Sequence, residues 1–312
     1  MSAFDAIIVG GGPAGASCAL WLKQLGLRPC IVERRPSLGG LQNESVSENG
    51  WIAPIIGLRG EEVAHSIHTN ILAHGIACHL GTAVNSIEMR EDGFMVDIGH
   101  AMAEGPLRAL HLVLASGVRP ADGGFREGEN LLIGPGKQIA YRDFRDQSVA
   151  ILGGGDNAFE NYEFIRARGA RSVHIFARSI RARREFLERI PLEDTSVGPY
   201  EVDAEAMTVA GRRYDVIVVL YGWTPALEFM RNHPLARDEK GFVVTDRDSA
   251  ESSIRNVYAI GEVAQRMHPC CVTSMADGVV AAKAIQRRSE AGATDAFLIK
   301  ARQHRWHCAA AR

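Results

Sequence analysis

The chain has 312 residues, 46% of them apolar and 23% charged, with 32 glycines, a globular composition whose glycine excess needs a cause. At that length two domains are expected, because single cores stop growing near about 250–300 residues. The 35 basic and 37 acidic residues leave a formal charge of −2, so no field of the whole molecule draws it onto nucleic acid or a membrane surface.

Residues Met1–Asp5 lack a basic-then-apolar leader, and no apolar run reaches the roughly 18 residues of a membrane span. A cytoplasmic protein is the expectation. Six cysteines, Cys18, Cys30, Cys78, Cys270, Cys271 and Cys308, show no metal-ligand spacing and read mostly as small packed residues.

The first chemical signal follows at once. Ala6–Val9 reads as a buried strand, Gly10-Gly11-Gly12-Pro13-Ala14-Gly15 as a tight turn, and Ala16–Leu25 as a helix. In that order Gly10 permits the turn and Gly12 lets the backbone approach a pyrophosphate. Gly15 lets helix and strand pack closely, with the helix's positive end facing the phosphates. A second strand, Pro29–Val32, ends in Glu33, 23 residues beyond Gly10, where a carboxylate accepts the ribose hydroxyls of an adenosine.

Further on, His65 and His68 share a helix face with His74 nearby, and nothing supplies the remaining ligands of a metal site. Gly81–Leu114 reads as short alternating strands broken at Asp92-Gly93 and Gly105-Pro106, and Pro120–Gly124 as a linker.

The clamp then recurs. Strand Ser148–Leu152 leads into Gly153-Gly154-Gly155-Asp156-Asn157-Ala158 and a helix to about Arg168, followed by strand Ser172–Ala177. Here Arg178 stands where Glu33 stood, with Arg181, Arg183 and Arg184 just beyond. An acid would repel a 2′-phosphate and a guanidinium pairs with one, so the second site is expected to take NADPH rather than NADH, chiefly through Arg178 and Arg183. A run of arginines is also the pattern of a solvated helix face.

Two glycine clamps, one followed by Glu33 and the other by arginines, resemble the low-molecular-weight thioredoxin reductases and the thioredoxin-reductase-like ferredoxin-NADP reductases. The likeness extends over nearly the whole chain. Leu114-Ala115-Ser116-Gly117-Val118-Arg119-Pro120 looks like the segment ending the first half of that family's FAD domain, and Val219–Pro225 like the matching crossover in the NADPH domain. Gly261-Glu262 resembles a Gly-Asp pair whose acid holds the ribityl chain, with one methylene more. Val272–Gly278, continuing to Ala282, resembles the helix whose N-terminus faces the flavin.

The resemblance implies an α/β fold of two Rossmann-like, three-layer ββα nucleotide-binding domains, the NADPH domain inserted into a discontinuous FAD domain. The expected limits are 1–120 and 243–312 for FAD and 121–242 for NADPH. It further implies FAD contacts at Pro13, Ala14, Arg34, Gly40, Leu41, Gln42, Val84, Ala115, Ser116, Gly117, Cys271, Val272 and Thr273, with NADPH on Gly155, Asp156, Asn157 and Ala158. It implies a homodimer as well.

One departure bears on the acceptor. Thioredoxin reductases carry a Cys-x-x-Cys just before the second clamp, and here Ala140–Asp146 contains no cysteine. The expectation is therefore an FAD-dependent NADPH oxidoreductase that reduces a non-dithiol acceptor: ferredoxin, flavodoxin, a quinone or a small oxidant. Two alternatives stand beside it, thiol–disulfide chemistry at Cys270 and Cys271, and an FAD-binding redox sensor without turnover. The tail Ala291–Arg312 offers Gln303-His304-Arg305-Trp306-His307 either as a flavin cover or as a terminal helix with one packed Trp.

Overall fold

The computed structural model describes residues 4–99 and 105–309, with side chains through residue 291. Two compact units divide it: Met1–Asn43, Ser47–Gly117 and Pro225–Arg312 form one, Glu44–Val46 and Val118–Thr224 the other.

The first unit opens with strand β1 (Phe4–Val9), helix α1 (Pro13–Gln24), strand β2 (Pro29–Val32), helix α2 (Gly60–Ala73) and strands β3 (Ala77–His79), β4 (Ser86–Arg90), β5 (Gly93–Asp97) and β6 (Leu107–Leu114). The sheet runs in the order β3-β2-β1-β6-β5-β4, with parallel pairing from β3 to β6 and an antiparallel hairpin at the far edge. Strand alternation sorts β1 between two cores: Ala6 and Ile8 pack with α1, and Ile7 and Val9 pack against the β4–β5 hairpin. The expected meander is this hairpin, but β6 is also a central parallel strand.

The second unit carries β7 (Val118–Pro120), β8 (Leu131–Ile133), α3 (Lys137–Ala140), β9 (Ser148–Leu152), α4 (Asp156–Ala167), β10 (Ser172–Ala177), α5 (Arg184–Arg189) and β11 (Thr195–Val197). A small antiparallel sheet of β12 (Val202–Asp203), β13 (Thr208–Val209) and β14 (Arg212–Arg213) follows, then β15 (Val216–Val219), and β16 (Trp223–Pro225) spans the end of the unit at Thr224. Its parallel sheet, β11-β10-β9-β15-β8, repeats the logic of the first: Val149 and Ile151 face the helices, Ala150 and Leu152 the small sheet. This is the expected α/β arrangement of two three-layer ββα units, one inserted in the other.

The chain returns to the first unit through β17 (Val257–Ala259), which pairs with β6, and α6 (Cys271–Ala309). The units part at 117/118 and 224/225, not at the expected 120/121 and 242/243. Residues 225–242 were expected with the second domain, but Leu227, Met230 and Leu235 are buried in the core beside Ile87, Phe94 and Val96 of the first. Residues 303–307 and Cys308 of the tail lie outside the described side chains. Among the described residues no helix is long and apolar enough to cross a membrane.

One buried group makes stability depend on pH. His111 on β6 is 4% exposed, its Nδ1 has no partner among the described residues, and its ring lies 5.9 Å from that of Tyr258. Burial, reinforced by Arg288 and opposed by Asp5 and Glu251, pushes its pKa down from 6.5 to about 4. The folded value lies below the unfolded one, so the contribution is full above about pH 6.5 and is lost as the pH falls toward 4. At about 1.4 kcal/mol per unit, wild type should lose up to about 3 kcal/mol more than His111→Leu between pH 7 and pH 4. Urea midpoints at both pH values measure the difference, and parallel losses in the two proteins would remove His111 from the account.

Candidate functional site

The first clamp is built by close approach. Gly10 has φ +106°, and a Cβ there would lie 2.3 Å from the Ala115 carbonyl oxygen, so the strand-to-helix turn can pass beside β6 only with glycine. At Gly15 a Cβ would lie 2.0 Å from the Gly10 oxygen. Gly12, by contrast, is the N-cap of α1, with Pro13 opening the first turn, and a Cβ there would meet nothing nearer than Gly40 Cα at 3.6 Å. The fold itself does not require glycine at position 12, whereas an anion approaching the free N–H groups of the first helical turn would.

Around that turn the structure gathers distant parts of the sequence. Ideal Cβ atoms at Gly40 and Gly261 would lie 2.9 Å from Gly12 Cα and 2.8 Å from Ala14 Cβ, which brings both later motifs against the clamp. Glu33, 6% exposed, accepts the Gly11 N–H on Oε2 at 2.7 Å and the Arg35 N–H on Oε1 at 2.8 Å. The backbone so fixes the carboxylate, and each oxygen keeps a lone pair for a ribose hydroxyl. Beside it a cleft of about 230 Å³ is lined by Gly10, Glu33, Arg34, Val84 and Ser116, all expected from the sequence. Ser116 Oγ is buried without a hydrogen-bond partner. A ligand hydroxyl or phosphate would supply what that atom lacks, and these residues therefore fit the adenosine half of a dinucleotide.

The same cleft is lined by Thr82, Ala83, Ala226, Glu228 and Phe229, which sequence reasoning missed. The last three fell on the wrong side of the expected boundary. Thr82 and Ala83 carry no motif and reach the cleft only because β3 pairs beside β2. Gly117 is the final residue of its segment in the first unit, with φ +66°.

The second clamp repeats the geometry. A Cβ on Gly153 would lie 2.3 Å from the Leu220 oxygen, the counterpart of the Gly10–Ala115 approach, and Gly155, N-cap of α4, has open space. Ala158 is fully buried in the turn that follows, and Asn157 lies beside it in the first turn of α4. Arg178, just past β10, lines a cleft of about 400 Å³ with Phe125, Tyr200 and Tyr221. Arg183 is placed differently: its Nε lies 2.9 Å from Asp156 Oδ2, its backbone N–H donates to Asp156 Oδ1 at 2.8 Å, and its guanidinium stands 4.8 Å from the Phe186 ring centre. The two expected phosphate ligands thus differ, Arg178 lining a cleft and Arg183 paired to an acid. Arg184 pairs with Glu188 one turn along α5, as on a solvated helix face. The aromatic residues Tyr200 and Tyr221, whose hydroxyls lie 3.2 Å apart, were also missed, since they come together only when β11 and β15 take their places in the sheet.

At the start of α6 the N-cap is Cys270. Its N–H donates to Thr273 Oγ1 at 3.2 Å, and its Sγ accepts the Thr273 N–H at 3.5 Å, a reciprocal capping arrangement with sulfur in the usual place of a hydroxyl. Burial raises the Cys270 thiol, but hydrogen bonds to its sulfur from the Thr273 hydroxyl, the Thr273 N–H and the Val272 N–H outweigh it and lower the pKa. Cys271 goes the other way, pushed up to about 11 by burial and by its neighbours Cys270 and Glu262. Val272 is 46% exposed. Glu262 itself is raised by burial. Leu41 and Gln42 lie in the short 3₁₀ turn Gly40–Glu44, where Gln42 Oε1 accepts from Asn49 at 2.9 Å. His68 accepts the Leu38 N–H, and among the described residues no group of His, Cys, Asp and Glu could hold a metal ion.

Comparison with known proteins supports the same reading of the fold. Residues 4–284 match the family described as pyridine nucleotide-disulphide oxidoreductase. A thioredoxin reductase of Mycolicibacterium smegmatis is 27% identical over 310 residues, covering 89% of this chain and 94% of its own. A ferredoxin–NADP reductase of Limosilactobacillus fermentum is also 27% identical, covering 83% of this chain and 85% of its own. Among solved structures, a thioredoxin reductase of Lactococcus lactis superposes with TM-score 0.74 at 21% identity, covering 91% of this chain and 98% of its own. A bacillithiol disulfide reductase of Bacillus cereus superposes with TM-score 0.76 at 17% identity, covering 92% and 100%. At those identities the structures speak to fold alone.

Proposed function

The chain belongs to the pyridine nucleotide-disulphide oxidoreductase family, and on that premise we propose that it oxidises NADPH and delivers the electrons to an acceptor without using a dithiol of its own. Ferredoxin, flavodoxin, a quinone or a small oxidant is that acceptor. It is an FAD-dependent NAD(P)H oxidoreductase. FAD, when bound, accepts hydride from the nicotinamide and releases the electrons in pairs or singly.

The chain's own residues supply position and charge. Glu33 and Ser116 would hold the adenosine half of FAD, Gly12 and the first turn of α1 its pyrophosphate, and Glu262 the ribityl chain. Gly155 with Asn157 and Ala158 would cradle the NADPH pyrophosphate, and Arg178 the 2′-phosphate, with Tyr200 and Tyr221 walling the same cleft. The first turn of α6 would place N–H groups where negative charge develops.

The observation that carries the acceptor is the cysteine content of the inserted unit. Residues 118–224 contain no cysteine, and Ala140–Asp146, where a relay dithiol would sit, instead buries Phe144 in the core. Burial also pushes the Cys18 and Cys30 thiols up to about 12, out of reach of redox exchange. NADPH consumption should be at least about tenfold faster with ferredoxin or a naphthoquinone than with any disulfide, and should survive iodoacetamide treatment. Disulfide turnover that disappears in Cys270→Ala would reverse that assignment.

That second reading has one observation in its favour, the hydrogen-bonded, lowered thiol of Cys270 at the N-cap of α6. It singles out Cys270, not Cys271, as the nucleophile of any thiol–disulfide chemistry.

A further inference from the structure

We propose that the first unit contains a second ligand site, for a small carboxylate with an apolar body, in the cavity bounded by the segment 238–247, the loop after Gly261–Val263 and one side of α6. The cavity measures about 520 Å³ and is lined by Val243, Val244, Met267 and Val280 together with Arg247, Arg266 and Asp277. None of these residues belongs to either glycine clamp, and Asp277 and Val280 lie further along the helix segment Val272–Ala282 than its N-terminus.

Its buried end is made of charge. The Arg266 and Asp277 side chains are 10% and 3% exposed, and Arg266 Nη1 donates to Asp277 Oδ1 at 3.1 Å. Asp277 Oδ2 accepts the Gly261 N–H at 3.1 Å, so both carboxylate oxygens are engaged. Arg266 Nη2 donates to the Arg247 carbonyl. A guanidinium has five N–H donors, and the bonds to Asp277 and Arg247 leave it with donors to spare. The other acid on the lining, Asp238, is tied to its own turn through Oδ1, which accepts the Lys240 and Phe242 N–H groups, each at 2.9 Å. Unspent donors at the buried end, with the exposed Arg247 guanidinium added at the rim, call for a ligand that accepts in two directions, as a carboxylate does.

The walls set the rest of the ligand. Val244 is 50% exposed and Met267 45% exposed, so an apolar body between them removes hydrocarbon from water on both sides. An inorganic anion would leave these walls wet, and a neutral hydrocarbon would leave the guanidinium donors without acceptors. The site also touches the redox centre assigned above: Asp277 holds the N–H of Gly261, the residue before Glu262. Resting on that assignment, ligand pairing with Arg266 shifts the Arg266–Asp277–Gly261 chain and is felt by the flavin.

Calorimetric titration of the FAD-loaded protein tests this with benzoate as probe, acetate as the carboxylate without a body, and benzyl alcohol as the body without a charge. Benzoate should bind saturably, with acetate and benzyl alcohol at least about tenfold weaker. Arg247→Glu, at an exposed position away from both clamps, should weaken benzoate at least about tenfold while leaving the flavin content unchanged. The absorbance of the flavin should shift with the same midpoint. A titration that does not saturate, or one that Arg247→Glu leaves untouched, overturns the site. Saturation with an unmoved flavin spectrum overturns its link to Gly261. The heat of binding is read without turnover, so failure here is separate from failure of the NADPH reaction.

Discussion

Replacing Glu33 by Ala should strip the protein of FAD. The side chain is buried and ties down two backbone donors, Gly11 N–H and Arg35 N–H. Its removal leaves both amides unsatisfied beside the cleft proposed to take a ribose. An orphaned buried donor costs about 1–3 kcal/mol, and the ribose loses its acceptor as well, so FAD should bind on the order of 100-fold more weakly. The 450 nm to 280 nm absorbance ratio of the purified variant measures retention, and the urea midpoint of the apoprotein separates weak binding from a damaged fold. Glu33→Gln keeps one acceptor oxygen and should recover part of the affinity. A variant that purifies fully yellow would show that Glu33 only closes the turn.

Arg178→Ala should change which nicotinamide the enzyme prefers. Arg178 stands at the end of β10, where Glu33 stands after β2, and it lines the cleft beside Tyr200 and Tyr221. A charge-assisted contact between guanidinium and phosphate contributes about 1.5–3 kcal/mol, and at this exposed position the lower end applies. The KM for NADPH should therefore rise about tenfold or more, with NADH use unchanged. Arg183→Ala should do less, because Asp156 already holds that guanidinium. Steady-state kinetics with both nucleotides decide it. Equal losses with NADH and NADPH would place Arg178 in the fold of the second unit rather than at a 2′-phosphate.

Contiguous features were the legible ones. Strand, glycine turn and helix follow one another within about 20 residues at each clamp, and the reasons for their glycines are local enough to be written in one stretch of sequence. The steric need for Gly10, Gly15 and Gly153, where a Cβ would strike a carbonyl oxygen, is legible in this way. Features that depend on pairing were not. Thr82 reaches the first cleft through the β2–β3 register, and Tyr200 meets Tyr221 across the second. Neither has a spacing that signals it. The second domain boundary failed for a related reason: residues 225–242 hold only a short turn of helix, and their allegiance is settled by Leu227, Met230 and Leu235 entering a core most of whose other members lie more than a hundred residues earlier.

Local spacing alone specifies two strand–glycine-turn–helix units, an acid after the first, an arginine after the second and no dithiol before the second. These are statements about residue type at fixed local spacing, which backbone sterics and charge make readable in one dimension. Packing settles which arginine lines a cleft and which is neutralised by Asp156, and which of two adjacent cysteines caps a helix. It alone assembled the cavity that Arg266 and Asp277 close. Each of these depends on which groups burial brings within hydrogen-bonding distance, and burial is a property of the packed chain.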